Sequence, residues 1–237
     1  MTDRTRRGLL VLGRRVRGQV RRVTRIGRLL MSRHFRKWGI AALREQPNHV
    51  AEAQRAAWLK ADGVVGKHSI STLTERASKD LHADRLLAAL VRIREPSLVI
   101  ELGTNVGLSG TYMASALSGR GLLKTIDQSA DRQVLAKQLF RAAGVEDRIE
   151  VITGSFVDSL DDAAAHGFGI AFIDGDHTYD ATWWLVDRLL SYAVVGSVLV
   201  LDDINHSAQM RRVWGELRRR PGLASLALSD LGVLEVV

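Results

Sequence analysis

The feature that most constrains this chain is a short apolar run followed by spaced glycines, at residues 97–110. The run is too short for a helix and is typical of a buried parallel strand. Gly103 and Gly107 follow it, and Thr111–Leu117 predicts a helix. A strand, a glycine turn and a helix N-terminus form a site for a nucleotide-like ligand, because glycine lets the backbone approach closely.

The glycine spacing differs from that of the dinucleotide fingerprint. A G-x-G-x-x-G pattern starting at Gly103 would need glycine where the chain has Asn105 and Leu108. The observed pattern is Glu-x-Gly-x-x-x-Gly, and an acidic group at the strand end suits a ligand with a cationic amine. The stretch resembles the first motif of class I S-adenosylmethionine-dependent methyltransferases; a glycine-rich turn of another α/β protein is the alternative. The resemblance implies that S-adenosylmethionine contacts Glu101, Gly103, Asn105, Gly107 and Ser109.

Strand and helix patterns alternate along the rest of the chain. This alternation predicts an α/β fold, a Rossmann-like doubly wound sheet with helices on both faces. The resemblance implies seven strands that end in an antiparallel pair, whereas the pattern alone leaves the strand order open. The later predicted strands are Leu122–Ile126, Ile149–Thr153, Ile170–Ile173, Ser197–Leu201, Leu223–Ser229 and Leu234–Val237, and the predicted helices are Asp80–Arg94, Asp131–Ala143, Thr182–Ala193 and Ala208–Arg218.

Three regions are predicted from composition and periodicity. Residues 1–44 form a basic amphipathic arm, which we expect to be a helical extension. Residues 45–77 form a helical cap or linker, and the polar stretch 67–79, which runs just past its end, predicts a connector. Residues 78–237 carry the alternating pattern and form the methyltransferase domain that the resemblance implies.

Charge is unevenly distributed between these regions. Residues 1–44 contain 14 Arg and Lys and one acid, whereas the other 193 residues contain 20 basic and 25 acidic groups. The net charge of +8 therefore belongs to the arm, where apolar residues recur at three- and four-residue steps between arginines. Such an arm fits an anionic membrane surface, a nucleic acid or a partner subunit, including a second copy in a homo-oligomer; a solvated extension is the alternative.

The expected location follows from what the sequence lacks. No apolar run approaches the roughly 18 residues that cross a bilayer. The chain contains no Cys, which fits a reducing compartment. We expect a cytoplasmic protein, with peripheral attachment to a membrane as a further role for the arm; an organelle transit peptide would have a similar composition.

Acidic or small residues end several predicted strands, where ligands bind in open α/β sheets. Asp127 ends the second strand, and a carboxylate there can accept both ribose hydroxyls of a nucleoside. Capping the next helix is its alternative role, for which Ser129 is better placed. Gly154, Ser155 and Phe156 follow the third strand as a turn, and we expect Ser155 and Phe156 to border the adenine.

Two further stretches, residues 172–180 and 198–206, resemble the metal-dependent O-methyltransferases. The closer likeness is to the branch that acts on sugars and secondary metabolites, which includes macrolide sugar O-methyltransferases and cephalosporin-hydroxylase-like proteins. The resemblance implies that Asp174, Asp202 and Asp203 hold a divalent ion, that Asp174 also borders the cofactor, and that His177 is the general base. Asp203 departs from the pattern, since relatives have Asn or the longer Glu there, which weakens the case for direct coordination.

The residue types agree with this chemistry. Three carboxylates without cysteine suit a hard ion such as Mg²⁺. A divalent ion lowers the pKa of an acceptor hydroxyl, and a neutral histidine can take its proton near pH 7. A helical capping role for Asp202 and Asp203, and a turn role for His177, are the structural alternatives.

Three functions are carried forward from the sequence. The first is an S-adenosylmethionine-dependent O-methyltransferase, assisted by Mg²⁺, that methylates a hydroxyl of a small molecule or sugar in secondary metabolism. The second is a nucleic-acid methyltransferase. Asp-Gly-Asp-His stands where amino-directed enzymes of that class have their proline motif, so only ribose methylation fits. The third is a non-catalytic cofactor-binding protein attached to a membrane or partner by its arm.

Overall fold

A computed structural model describes residues 45–77 and 81–237 of the chain, so the predicted helical arm lies outside the described residues. The helices described are α1 (His49–Trp58), α2 (Ile70–Ala77), α3 (Leu81–Arg94), α4 (Leu108–Ala116), α5 (Ala130–Ala142), α6 (Phe156–Ala164), α7 (Tyr179–Leu190) and α8 (Ala208–Leu217). The strands described are β1 (Val64–Val65), β2 (His68–Ser69), β3 (Leu98–Leu102), β4 (Leu122–Asp127), β5 (Ile149–Thr153), β6 (Ile170–Ile173), β7 (Val198–Leu201), β8 (Leu223–Leu228) and β9 (Leu231–Val236).

Seven strands form one mixed sheet in the order β5-β4-β3-β6-β7-β9-β8. The first five are parallel, and β9 runs antiparallel between β7 and β8. From β3 the chain first builds outward through β4 and β5, and then returns to build β6 and β7 on the other side. This reversal leaves a cleft at the carboxyl ends of β3 and β6. The predicted seven-stranded Rossmann-like fold is confirmed.

Helices cover both faces of the sheet. Alternate residues of a strand therefore pack into two separate hydrophobic cores, one on each face. On β3, Val99 packs into one core and Ile100 into the other. Helices α3, α4 and α5 supply the first core with residues such as Leu87, Tyr112 and Phe140. Helices α6, α7 and α8 cover the opposite face.

Residues 45–77 are attached to this core by apolar and polar contacts. Trp58 is 6% exposed and belongs to the same core as α3 and α4. Glu52 accepts hydrogen bonds from Arg85 Nη2 at 2.9 Å and from Tyr112 Oη at 3.1 Å, which ties α1 to α3 and α4. The segment therefore packs directly against the sheet domain.

Several local predictions are wrong: helices α4 and α7 begin at Leu108 and Tyr179, three residues earlier than predicted, and three further differences follow. Residues 67–79 contain helix α2 rather than a connector, and Thr74 Oγ1 donates back to the Ile70 carbonyl within it. Phe156 begins helix α6 rather than ending a turn, because Ser155 caps it by accepting from the Asp158 amide. The last strand begins at Leu231, three residues earlier than predicted.

None of the helices in the described part of the chain is long and apolar enough to cross a membrane.

Candidate active site

A cavity of about 1410 Å³ opens at the carboxyl ends of the parallel strands. One side, here called the glycine half, is lined by predicted cofactor contacts that follow β3, β4 and β5. The other side, here called the acidic half, is lined by residues that follow β6 and β7. The glycine half comprises Gly103, Asn105, Ser109, Asp127, Ser155 and Phe156, and the acidic half comprises Asp174, His177, Asp202, Asp203 and His206.

The turn after β3 runs so close to the neighbouring strand that it requires glycine. Gly103 has φ +114°, and a Cβ built on it would lie 2.2 Å from the backbone oxygen of Asp174. Gly107 has φ +84° and packs against Phe140 and Ala136, so it does not line the cavity and supports the turn from behind. The turn is therefore fixed by backbone packing before any ligand binds.

Glu101 is placed differently from the predicted contact with a cationic amine. It is 0% exposed and does not line the cavity. Its two carboxylate oxygens accept from Ser109 Oγ at 2.5 Å and from Thr125 Oγ1 at 2.6 Å. Burial raises the pKa of Glu101 to about 7, although these two hydrogen bonds act in the opposite direction. The Glu101 carboxylate therefore lies between β4 and the start of α4, away from the cavity surface.

Asp127 presents its carboxylate at the end of β4, 4% exposed and facing the cavity. Oδ2 accepts from the Asn105 amide at 2.9 Å, while Oδ1 accepts from the Ser129 amide at 2.8 Å and from Arg132 Nη2 at 3.0 Å. Ser129 caps α5, accepting from the Arg132 amide, so Asp127 is not needed as a cap. The carboxylate is thus held in one orientation and keeps acceptor capacity toward the cavity.

Ser155 and Phe156 border the cavity at the start of α6. Ser155 Oγ donates to the Asp158 carboxylate at 2.6 Å, so its hydroxyl is engaged in capping. A Cβ on Gly175 would lie 2.4 Å from the Phe156 ring, which shows how closely the ring covers the loop after β6. The Phe156 ring therefore lines the cavity at the point where the glycine half meets the acidic half.

His177 and Asp174 meet in the loop after β6. His177 Nε2 lies 3.5 Å from Asp174 Oδ1 and 3.9 Å from Asp203 Oδ2. The hydrogen bond to Asp174 raises the pKa of His177 above its ordinary 6.5, against the opposing effect of burial. The imidazole thus faces two carboxylates, with a base strength set mainly by Asp174.

The carboxylates after β7 crowd together. Asp202 Oδ1 accepts from the Asp203 amide at 2.8 Å, and Asp203 has φ +54°, a backbone conformation that non-glycine residues rarely adopt. Burial, followed by the charge of Asp174, raises the pKa of Asp202 to about 7. His206 lies beyond Asp203, with Nδ1 3.9 Å from Asp203 Oδ2.

The predicted metal ligands share the cavity without forming a ready metal site. Within residues 45–77 and 81–237, no three His, Cys, Asp or Glu side chains converge on one point as a metal ion requires. The physical reason is that Asp202 uses one oxygen on its neighbour's amide, while His177 faces both Asp174 and Asp203. As described, these side chains form a cluster of three carboxylates and a histidine at one end of the cavity.

Two residues that line the cavity, Arg132 and Asp84, were not predicted from the sequence. Arg132 pairs with Asp127, and its position on the first turn of α5 was the signal that could have found it. Trp184 is 39% exposed and faces the cavity from α7, whereas Trp183 stacks on Tyr179. Asp84 enters the cavity from α3, ahead of the glycine turn.

The central segment of the chain is similar to a known protein family. Residues 100–204 match a family model described as a methyltransferase domain. The matched range contains the glycine turn, Asp127, the loop with His177, and the pair Asp202 and Asp203. This segment is therefore similar to a methyltransferase domain, and the resemblance to class I S-adenosylmethionine-dependent methyltransferases is confirmed.

Curated relatives cover part of the chain. A Mycobacterium sp. (strain JLS) protein named as an O-methyltransferase is 38% identical over 92 residues, 38% of this chain and 42% of that protein. The catechol O-methyltransferase of Mycobacterium tuberculosis (strain ATCC 25618 / H37Rv) is 27% identical over 157 residues, 62% of this chain and 70% of that protein. The chain thus spans less than half the length of the first of these relatives.

Solved structures share the fold. The O-methyltransferase TomG from Streptomyces achromogenes, involved in tomaymycin synthesis and solved in complex with S-adenosylmethionine, superposes with a TM-score of 0.62. The two chains are 20% identical, and the likeness covers 85% of this chain and 95% of TomG. At this identity the likeness concerns the fold.

Proposed function

We propose that this chain, whose central segment is similar to a methyltransferase domain, transfers a methyl group from S-adenosylmethionine to a hydroxyl of a small molecule or sugar. One observation carries the proposal. The family match spans residues 100–204, and inside it a rigid glycine turn faces a histidine–aspartate pair across one cavity. The names of relatives and neighbours, which are O-methyltransferases, support the choice of oxygen as the acceptor atom.

The glycine half has the features that the methyl donor requires. Gly103 leaves no Cβ between the ligand and the backbone, and Asn105 Oδ1 is a buried acceptor without a hydrogen-bond partner. Asp127 keeps acceptor capacity for ribose hydroxyls, and the Phe156 ring offers an apolar wall for adenine. When bound, S-adenosylmethionine supplies a sulfonium methyl group that a nucleophilic oxygen attacks in line.

We assign the proton transfer to His177. The acceptor hydroxyl gives its proton to Nδ1 of neutral His177, the ring nitrogen that does not face Asp174, as its oxygen forms a bond to the methyl carbon and the carbon–sulfur bond breaks. Asp174 orients the imidazole and stabilises the imidazolium that results. The products are a methyl ether, S-adenosylhomocysteine and protonated His177, and positioning of the reactants supplies much of the acceleration.

Magnesium assistance remains a prediction of the sequence analysis. Three carboxylates at the strand ends and the absence of Cys are the observations that favour a hard cation. Because the described side chains do not converge as a metal site, no step above depends on an ion. Methyl transfer measured in Mg²⁺ and in EDTA tests the prediction directly, and equal rates would refute it.

A role in secondary metabolism and a peripheral membrane location extend the same proposal. TomG is involved in tomaymycin synthesis, and an acceptor from a comparable biosynthetic route is what we propose for this chain. The basic arm of residues 1–44 is the segment we assign to an anionic membrane, a nucleic acid or a partner subunit. Deleting residues 1–34 and comparing liposome and RNA binding would distinguish these partners, since catalysis is expected to survive the deletion.

The deciding experiment is a calorimetric titration with S-adenosylhomocysteine, followed by transfer of a labelled methyl group to a panel of hydroxylated small molecules, sugars and RNA. Micromolar binding and methylation of a small hydroxylated acceptor would support the proposal. Binding without transfer to any acceptor would favour the non-catalytic alternative, and transfer to RNA alone would favour ribose methylation. Absence of binding would refute the methyltransferase activity.

A further inference from the structure

The turn between α7 and β7 exposes two adjacent valines. Val194 is 63% exposed, and Val195, the most exposed large apolar side chain that the structure describes, is 79% exposed. The Val194 amide donates to Ser197 Oγ at 3.0 Å. The Gly196 amide donates to the Val236 carbonyl at 2.8 Å, so the backbone of the turn is fixed on both sides. The two valines, here called the valine tip, are thus held out in water and gain free energy when an apolar partner covers them.

The valine tip lies at the far end of the sheet from the cavity. It precedes β7, whereas the cavity opens beyond β7 and is lined there by Asp202 and Asp203. The four residues of β7 alone separate the valine tip from the cavity by about 13 Å. A partner can therefore cover the valine tip and leave the cavity open.

The basic arm joins the domain at the same end. Glu45, the residue that follows the arm, pairs with Arg92 in the last turn of α3 at 2.8 Å. Arg94 in the same turn donates to the carbonyl of Gly196, the residue after the valine tip, and pairs with Glu235 at 2.9 Å. The attachment point of the arm and the valine tip are therefore held by one turn of α3.

The charges at the two ends of the domain favour an anionic partner at the valine tip. The arm brings 14 Arg and Lys and one acid to this end. The arginine run of residues 218–220 also lies here, because it leads into β8, which runs in the same direction as β7; Asp187 pairs with Arg220 and offsets part of its charge. The cavity end is lined instead by aspartates, among them the exposed Asp176 and Asp180. An anionic surface is therefore attracted to one end and repelled by the other.

We propose that this end of the domain binds the surface of an anionic lipid membrane, with the valine tip inserted between the lipid headgroups and the basic arm drawn to their negative charge. The inference rests on the assignment of the arm to an anionic membrane, a nucleic acid or a partner subunit, and not on methyl transfer. It selects the membrane because a nucleic acid offers phosphates to the arginines but no apolar layer to the valines. The cavity then faces away from the lipid, open to water.

Co-sedimentation of the full chain with phosphatidylcholine vesicles, with and without phosphatidylglycerol, tests the inference. The wild type should prefer the vesicles that contain phosphatidylglycerol. The double variant Val194→Ser/Val195→Ser should bind these vesicles about tenfold more weakly, because less apolar area enters the lipid, and should keep the preference for phosphatidylglycerol. Deletion of residues 1–34 should remove that preference, because most of the positive charge is lost.

The double variant Val64→Ser/Val134→Ser is the matched control, because these two exposed valines lie on β1 and α5, away from the valine tip. It should bind within about twofold of the wild type. Equal binding by the Val194→Ser/Val195→Ser variant and the wild type overturns the inference, and so does equal weakening by both double variants. Binding to an RNA oligonucleotide but not to anionic vesicles also overturns it and assigns the arm to a nucleic acid.

Two further measurements separate this inference from the proposed function. Thermal unfolding of each variant shows that the variant is folded. Titration of the same preparations with S-adenosylhomocysteine should give the wild-type affinity in both double variants, because neither pair of valines is among the residues that line the cavity. Vesicle binding without binding of S-adenosylhomocysteine would refute the methyltransferase activity and leave the membrane surface in place.

Discussion

In the glycine half of the cavity, polar groups are held by backbone amides at hydrogen-bonding distance, as Asp127 is by the amides of Asn105 and Ser129. In the acidic half, ionisable side chains face one another at 3.5 to 3.9 Å, as His177 faces Asp174 and Asp203. The first arrangement is complete before a ligand binds. The second has proton-binding groups whose charges depend on one another and on pH.

This difference suits the glycine half to binding the cofactor and the acidic half to transferring a proton. A site that binds one invariant cofactor benefits from a rigid, preorganised surface, because little entropy is lost on binding. A site that transfers a proton needs groups whose pKa values lie near the working pH. Variants in the two halves should therefore fail in different ways. The predictions at His177, Gly103 and Asp174 test that contrast, and the one at Glu101 tests the buried support of the glycine half.

The largest effect is expected at His177. His177→Ala should lower kcat by about 10²–10⁴-fold, the usual contribution of a general base, because His177 is the side chain to which we assign the proton transfer. S-Adenosylhomocysteine affinity should change less than about twofold. Steady-state kinetics and calorimetry measure the two quantities. His206→Ala is the control from the same half, and a comparable loss of kcat in that variant would move the base to His206.

The glycine turn should fail by losing affinity. Gly103→Ala forces a Cβ into the backbone oxygen of Asp174 at a positive φ, so we expect about a hundredfold loss of S-adenosylhomocysteine affinity. Gly119→Ala has a positive φ but nothing within 4 Å of the added atom, and it controls for backbone strain alone. Equal effects of the two variants in calorimetry and thermal unfolding would show that the close contact is unimportant.

Glu101 should make stability depend on pH. Its pKa is near 7 in the folded protein and near 4.5 when unfolded, so between these values the folded state binds more protons than the unfolded state. Its contribution to the free energy of unfolding is therefore present below pH 4.5 and is lost as pH rises to 7, by at most about 3 kcal/mol.

Urea unfolding of the wild type and Glu101→Gln at pH 5 and pH 8 measures this contribution. The wild type should lose more stability than the variant across that interval. The difference between the two proteins cancels the titration of Asp202 and the histidines. Parallel losses would mean that Glu101 does not titrate in this range.

The smallest effect is a shift of the pH–rate profile. The base works when neutral, so kcat should rise with pH up to the pKa of His177, which Asp174 holds above 6.5. Asp174→Asn should move this limb to lower pH, in addition to lowering the maximum rate. Profiles at saturating methyl donor test the shift, with Asp180→Asn as the control, and an unmoved limb would exclude Asp174 as the cause.

The sequence was most informative where burial alone decides the structure. Ile170–Ile173, which is buried at all four positions, forms a strand with the predicted bounds, as expected of a short apolar run in a parallel sheet. Ile149–Thr153 also has its predicted bounds, although it is a partly exposed strand at the edge of the sheet. It was least informative where local and tertiary effects compete. Helix α2 contains Ser and Thr of low helix propensity and is held in part by burial of Leu73.

The candidate site shows the same limit. The positions of Asp127, Asp174 and His177 follow from the rule that strand ends meet at one edge of a sheet. That rule does not give the direction of a side chain, and so Glu101 was assigned to the ligand although its carboxylate is buried beside Thr125. Asp84 was missed because a lone acid in a helix is ordinary until that helix is known to reach the cavity.

The contact between Gly103 and the Asp174 backbone also sets a boundary for engineering. The turn after β3 and the loop after β6 are in direct backbone contact, and there is no room between them for a single added carbon atom. Changes in the loop at Asp174 will therefore disturb the surface that we assign to the methyl donor. Asp176 and Asp180 also line the cavity, but they are exposed and lie outside that backbone contact. A mutant library intended to change the acceptor range should therefore begin at position 176.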